Sequence, residues 1–275
     1  MRTLTANYPG RRFPAVSVTG TECGLGCDHC RGHFLKGMMA SEPSSLHRDL
    51  LAITGIEGAM ISGGCDSRGR LDLSACIEAL SQLTLKGLRV AVHAVLPTAE
   101  ECRVLVEAGV ESICLDIHGD QDVISDVLHL GVSPNEYQHS LIAARDSGAR
   151  VFPHVTVGLS TTDWEEALRM IANCGVKEVA ILGLVSAPGT PMEGEEASED
   201  EMVDAFDIAF ALGLEPTLGC MRPRSLRNLE KRLLEMGVRH FASPSRSTLV
   251  AAEKNGLQVV ETATCCCISC TSPRG

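Results

Sequence analysis

The stretch AVSVTGTECGLGCDHCRG (residues 15–32) joins a short β-branched run to three cysteines, Cys23, Cys27 and Cys30, spaced C-x3-C-x2-C. The run 15–19 reads as a strand, and the thiols follow it directly on a loop that Gly24 and Gly26 allow to fold tightly. Three thiolates so placed can hold three corners of a cubane iron–sulfur cluster and leave its fourth iron without a protein ligand. An open coordination position lets a metal site do chemistry rather than only hold structure. The competing reading is a zinc knob completed by a distant Cys or His.

Seven further β-rich apolar runs follow, at 58–62, 89–93, 112–116, 151–157, 178–184, 215–219 and 240–243. Between them lie amphipathic stretches such as 71–87, 98–110, 161–176 and 200–214, with apolar residues at helical spacing and a terminal Gly or apolar-Gly turn. Thr98 with Glu101, and Thr162 with Glu165, have the spacing of capping boxes. Eight β-then-α units in about 250 residues predict an α/β fold, a (β/α)8 TIM-type barrel, complete or nearly so. A doubly wound open sheet is the rival. In a barrel the thiol loop lies at the C-terminal face of the strands, where active sites are built. The expected organisation is a barrel domain over residues 1–260 and a Cys-rich tail over 261–275 that folds over the barrel mouth.

Composition narrows the function. The chain has 275 residues, 44% of them apolar but only 3% aromatic, so small aliphatic residues must fill the core, as suits a parallel sheet wrapped in helices. The net charge of -11, with no basic block, argues against a nucleic-acid or anionic-membrane surface. No run is apolar enough to span a bilayer, and the first residues carry no signal-peptide pattern. The expected location is the cytoplasm, where 13 cysteines are not a disulfide framework.

These motifs resemble the radical S-adenosylmethionine (SAM) enzymes, and within them a biotin-synthase-like subgroup. The markers are TGTECGLGCDHCRG, ISGGCDSRG, LDIHGD, FPHVTVGL, PGTP, LGCMRP and adjacent cysteines near residue 265. The resemblance implies a [4Fe-4S] cluster on Cys23, Cys27 and Cys30 whose open iron binds SAM, and His29 beside the adenine. It places Gly63 and Gly64 against the methionyl amino group, with Cys65 where the family usually has Glu. It places Asp116 at the ribose or substrate, and His154 and Val157 at the adenine pocket.

Four cysteines, Cys265, Cys266, Cys267 and Cys270, crowd the tail. Folded over the mouth, two of them, Cys265 and Cys266, with Cys65 and Cys220 from strand ends, would hold a second iron–sulfur cluster, expected to be [4Fe-4S]. Structural zinc, or a tail without order, is the other reading. Cys114, sharing parity with Asp116, is a minor candidate. Cys76, Cys102 and Cys174 read as buried hydrophobes. His93 and His118 read as hydrogen-bonded core residues, and Arg222 and Arg224 as surface residues or carboxylate binders.

Within that subgroup the chain is similar to one subunit of the two-component lipoyl synthase. The implied reaction is sulfur insertion into a protein-bound octanoyl chain, with the auxiliary cluster as sulfur donor. The implied partners are SAM, a sister radical SAM subunit, an octanoylated lipoyl-carrier protein or domain, and an electron donor. The alternatives are another radical SAM enzyme of this type, such as a hydrogenase-cofactor maturase, or a non-catalytic metal-binding subunit.

Overall fold

The computed structural model describes residues 2–268. Its strands are β1 (Thr3–Asn7), β2 (Ala15–Ser17), β3 (Met39–Ala40), β4 (Gly58–Ser62), β5 (Arg89–His93) and β6 (Ser112–Asp116). They continue as β7 (Arg150–Val157), β8 (Glu178–Gly183), β9 (Glu215–Leu218), β10 (His240–Ala242) and β11 (Gln258–Thr262). The helices are α1 (Leu46–Leu51), α2 (Ile77–Leu85), α3 (Ala99–Glu107), α4 (Pro134–Asp146), α5 (Thr161–Asn173), α6 (Glu199–Ala211), α7 (Leu229–Met236) and α8 (Arg246–Lys254).

All strands join one parallel sheet in the order β11-β1-β10-β9-β8-β7-β6-β5-β4-β2-β3. Every expected strand is present, but the expected closure is not. In a closed eight-stranded barrel β2 would pair with β10. Instead β2 pairs with β3 and β4, and β10 pairs with β1 and β9. The insertion of β1 beside β10 and of β3 beside β2 occupies both edges that would have met. The result is an open, partial barrel.

Period-two alternation divides each strand between two environments. Val90, Val92, Ile113, Leu115, Val155, Val157, Val179 and Ile181 are almost fully buried in the layer shared with the helices. Ala91, Cys114, Phe152 and Ala180 face the lumen instead. The tail completes that inner core. Asn7 Nδ2, at the top of β1, donates to the Cys265 carbonyl at 3.5 Å. Arg150, at the foot of β7, donates to the Cys267 carbonyl at 2.9 Å. Cys267 and Ile268 are 0% and 1% exposed and pack against Phe13, Ala91, Cys114, Phe152 and Ala180. Residues 263–268 therefore descend into the lumen rather than covering the mouth, because their apolar side chains fill space that small residues such as Ala91 and Ala180 leave open.

Helix ends follow local chemistry. Thr98 and Glu101 form the expected capping box, with both reciprocal bonds made. At α5 the expected box at Thr162 does not form. Ser160, in extended conformation, caps the helix by accepting from the Asp163 amide, which frees the Asp163 carboxylate for another task. Gly87, Gly109, Gly175 and Gly213 all have left-handed φ, between +72° and +85°, and end α2, α3, α5 and α6. Among the described residues no helix is long and apolar enough to cross a membrane.

Candidate metal centre and active-site cleft

The cysteine loop is fixed by hydrogen bonds to three other segments of the chain. The Thr19 hydroxyl accepts from the Gly64 amide at 2.7 Å, and Gly24 N donates to Cys65 O at 2.6 Å. These two bonds hold the loop to the segment after β4. Asp28 N donates to Val127 O at 2.9 Å, Met192 N donates to Asp28 O at 3.2 Å, and Ala187 N donates to His29 O at 2.8 Å. The Asp28 carboxylate also meets His129 Nε2 at 2.9 Å. Gly26 takes φ +71°, as only glycine does without strain.

Within this frame a turn from Cys30 N to Cys27 O, 3.1 Å, brings the two side chains together. The Cys27 and Cys30 sulfurs and a His29 ring nitrogen lie within 4.8 Å of one another. Cys23 lines the same cleft, which encloses about 210 Å³. The neighbouring Cys27 thiol, and after it His29, lower Cys30 from the ordinary thiol range. The hydrogen bond between the two thiols, with burial, pushes Cys27 up. His29 Nδ1 is buried without a hydrogen-bond partner. Val123, Ile124, Leu128, Leu130 and Tyr137 pack around Cys27 as a dry wall, built on a π-helical turn at Val123–Val127.

Gly63 and Gly64 border the cleft. A Cβ on Gly64 would stand 2.0 Å from Glu22 O and 2.7 Å from Cys23 Cβ, so the two loops touch through bare backbone. Asp116 lines the cleft from β6. Its Oδ1 lies 3.5 Å from His93 Nε2 and 3.8 Å from His154 Nδ1, and the two imidazoles stack at 5.0 Å. Burial opposes a charge on Asp116, but His93 and His154 outweigh it and hold the carboxyl far below its usual range. Burial likewise opposes charge on His93, and the Asp116 carboxylate overrides it, raising His93 to about 9.

Two placements differ from the sequence reading. Val157 is fully buried among the helix-facing core residues and does not border the cleft. Its neighbour Thr156 does, because His154 and Thr156 share a face of β7 and Val157 has the opposite parity. His93 lines the cleft more directly than His154, which lies behind it against Phe152 and Cys114. His118 is the expected structural histidine. It is buried, with Nδ1 2.9 Å from Asp163 Oδ2, while Asp163 Oδ1 accepts from Gly119 N at 2.8 Å and Asp120 N at 3.0 Å.

The thiols proposed for a second centre do not gather as one set. Cys65 borders the first cleft, where burial and the neighbouring Cys23 push its thiol up to about 12. Deeper in the lumen, Cys265 is hydrogen-bonded to both Cys266 and Cys267, which lowers it. Burial would raise Cys114, but bonds from Cys267 and His154 draw it down to about 6. Cys220 feels Cys265. The lumen thiols are therefore Cys114, Cys265, Cys266 and Cys267, with Cys220 beside them and Cys65 apart. Cys270 lies outside the described residues. Cys76, Cys102 and Cys174 are buried under helices, as expected.

This geometry has solved counterparts. Methylornithine synthase (PylB) superimposes with a TM-score of 0.64 at 14% identity, over 94% of this chain and 84% of that one. The FeFe-hydrogenase maturase HydG from Carboxydothermus hydrogenoformans gives 0.63 at 12%, over 94% and 67%. SuiB of Streptococcus suis bound to S-adenosylmethionine gives 0.57 at 10%, over 94% and 58%. The chain shares its fold with these three enzymes. No protein-family model matches the sequence, and no curated protein matches it.

On this fold the donor set fits an iron–sulfur centre. Three thiols share one cleft, an apolar wall packs against Cys27, and the His29 imidazole has a buried nitrogen without a hydrogen-bond partner. Soft thiolate ligands of this kind select iron–sulfur clusters or zinc over hard cations.

Proposed function

We propose that this chain is a radical SAM enzyme of sulfur insertion, one subunit of a two-component lipoyl synthase acting on a protein-bound octanoyl chain. The observation that carries the reading is a pair of thiol groups in one lumen. Cys23, Cys27 and Cys30 stand at the cleft, and Cys114 with Cys265–Cys267 lies deeper, with the His93–Asp116–His154 layer between them. Bound at the cleft, a [4Fe-4S] cluster with SAM supplies a 5'-deoxyadenosyl radical able to take hydrogen from an unactivated C–H bond.

The chain's own residues serve that chemistry in distinct ways. Cys23, Cys27 and Cys30 hold the first cluster, and the wall of Val123, Ile124 and Leu128 keeps water from it. The bare backbone at Gly63 and Gly64 leaves room for the methionyl end of SAM. Asp116, held ionised by two histidines, accepts hydrogen bonds from a ribose or substrate. His29 lies beside the adenine. Cys114, Cys220, Cys265 and Cys266, with Cys267 adjoining, hold the auxiliary centre that donates sulfur. Holding carbon, hydrogen acceptor and sulfur in one lumen gives the proximity such a reaction needs.

The test is anaerobic iron and sulfide analysis of reconstituted protein beside the Cys23/Cys27/Cys30→Ala variant. About eight irons falling to about four support two four-iron clusters. About four falling to none remove the sulfur donor, and the lipoyl synthase assignment with it. Incubation with SAM, reductant, sister subunit and an octanoylated carrier then reads sulfur insertion as a mass gain on the carrier.

A further inference from the structure

We propose that Cys65 is a fourth, displaceable thiolate ligand to the cluster held by Cys23, Cys27 and Cys30. The inference rests on the cluster assignment at the cleft and goes beyond it, since the C-x3-C-x2-C loop by itself leaves one iron without a protein ligand.

Geometry places Cys65 there. Its carbonyl accepts from Gly24 N at 2.6 Å, inside the cysteine loop. Gly64, its neighbour, lies so close to Cys23 that an added Cβ would stand 2.7 Å from Cys23 Cβ. The Cys65 side chain borders the same cleft as the three loop thiols. It is not part of the tight group made by Cys27, His29 and Cys30. A single tetrahedral zinc needs its sulfurs roughly 3.8 Å apart, from bonds of about 2.3 Å. Cubane ligands bind separate irons and stand further apart, so four thiols spread around one cleft suit a four-iron cluster better than one ion.

Chemistry gives the site a reversible cap. A thiolate is the soft ligand that iron–sulfur clusters select. Without SAM, Cys65 closes the coordination shell and protects the exposed iron. SAM arrives as an amino-carboxylate chelate and exchanges with it. No electron moves in the exchange. The Fe–S bond to Cys65 breaks, Fe–N and Fe–O bonds form, and the proton lost by the SAM ammonium is taken up by the released Cys65 sulfur. Competition with a built-in ligand weakens apparent SAM affinity in proportion to the closed fraction.

The experiment uses the reconstituted full chain, the Cys65→Ala and Cys65→Ser variants, and the Cys23/Cys27/Cys30→Ala variant as background. Each is treated with ferricyanide without SAM, and the EPR signal of three-iron clusters is integrated. A cluster with a protein-free iron loses that iron readily, and a four-thiolate cluster resists. The expected result is a signal several-fold larger in Cys65→Ala than in wild type, with Cys65→Ser between them. Equal conversion in wild type and Cys65→Ala, at equal iron loading, would overturn the proposal. Should the triple variant hold as much iron as wild type, the cluster assignment itself fails, and that outcome is separate. The unmutated protein gives a second readout by mass spectrometry. Iodoacetamide should alkylate Cys65 faster once SAM is added, and an unchanged rate counts against a displaceable ligand.

Discussion

The amide of Ala187 donates to the carbonyl of His29 at 2.8 Å, and so a loop from far downstream holds the middle of the cysteine motif. The same loop gives Met192 N to Asp28 O, and its own shape depends on the buried Thr190 hydroxyl, which donates to Ala187 O at 2.6 Å. Thr190→Val keeps the volume and removes that donor. It should destabilise the protein by about 1–3 kcal/mol, the cost of a buried carbonyl left unpaired, and lower iron retained by the loop. Thermal melts and iron analysis check both. Unchanged iron would mean that the loop does not brace the motif.

Gly64→Ala should be severe. The added methyl would meet Glu22 O at 2.0 Å and Cys23 Cβ at 2.7 Å, so the backbone carrying Cys23 must move. The expected result is loss of most of the iron bound by the cleft thiols. Gly37→Ala is the control, because a Cβ there meets nothing within 4 Å. Parallel loss in both variants would point to general fragility rather than to the loop contact.

Thr156 and Val157 allow a test of face. Val157→Thr buries a hydroxyl in the helix-facing core and should cost roughly 1–3 kcal/mol, with SAM binding unchanged. Thr156→Val should leave stability within about 0.5 kcal/mol while altering the cleft wall and SAM affinity. Equilibrium unfolding and binding measurements on the pair separate the two roles. The opposite pattern would reverse the assigned orientation of β7.

Arg222 and Glu230 form a buried ion pair outside the cleft. Arg222 is 5% exposed. It donates to Glu230 Oε1 at 2.7 Å and to the carbonyls of Gly219 and Ala242 at 2.6 and 2.9 Å. Glu230→Ala leaves that charge unpaired and should cost about 3–5 kcal/mol. Burial alone would raise the Glu230 pKa, but hydrogen bonds from Thr248, Ser245 and Arg222 hold it below its ordinary value of 4.5. A carboxylate lowered on folding stabilises above its unfolded pKa and loses that contribution as pH falls through the folded value. The stability gap between wild type and Glu230→Gln should therefore be full at pH 7 and shrink below about pH 4.5. Urea titrations across that range measure it, and a gap that widens in acid would refute the sign.

Much of the fold was legible because short apolar runs such as Gly58–Ser62 and Arg89–His93 alternate with amphipathic helical stretches. Closure was not legible, since it depends on β1 and β3. TLTAN at 3–7 alternates polar and apolar residues but carries only two apolar side chains, and β3 is two residues long, so neither stands out as an apolar run. At the cleft, the grouping of Cys23, Cys27 and Cys30 was readable from spacing, whereas Gly63 and Gly64 stood out only through the family resemblance. Parity along β7 already distinguished Thr156 from Val157, and was the available signal for the residue that was missed. Cys114 and Cys267 meet only because the tail turns inward, a tertiary event with no local mark. Arg222, read as a surface residue or a carboxylate binder, is buried and does bind a carboxylate, that of Glu230, which lies eight residues later on α7.

The position of β1 between β10 and β11 also sets the order in which the molecule can be finished. Its two neighbours are made more than two hundred residues after it, on the order of ten seconds or more at ribosomal speeds. Until then its amides and carbonyls have no ladder to join, and the lumen stands open at the place the 263–268 segment will fill. Folding must therefore be sealed from the late end of the chain backwards onto its earliest strand. A nascent chain halted before β10 would carry a complete cysteine loop on an unfinished sheet, so the site's ligands are all present well before the scaffold that shelters them.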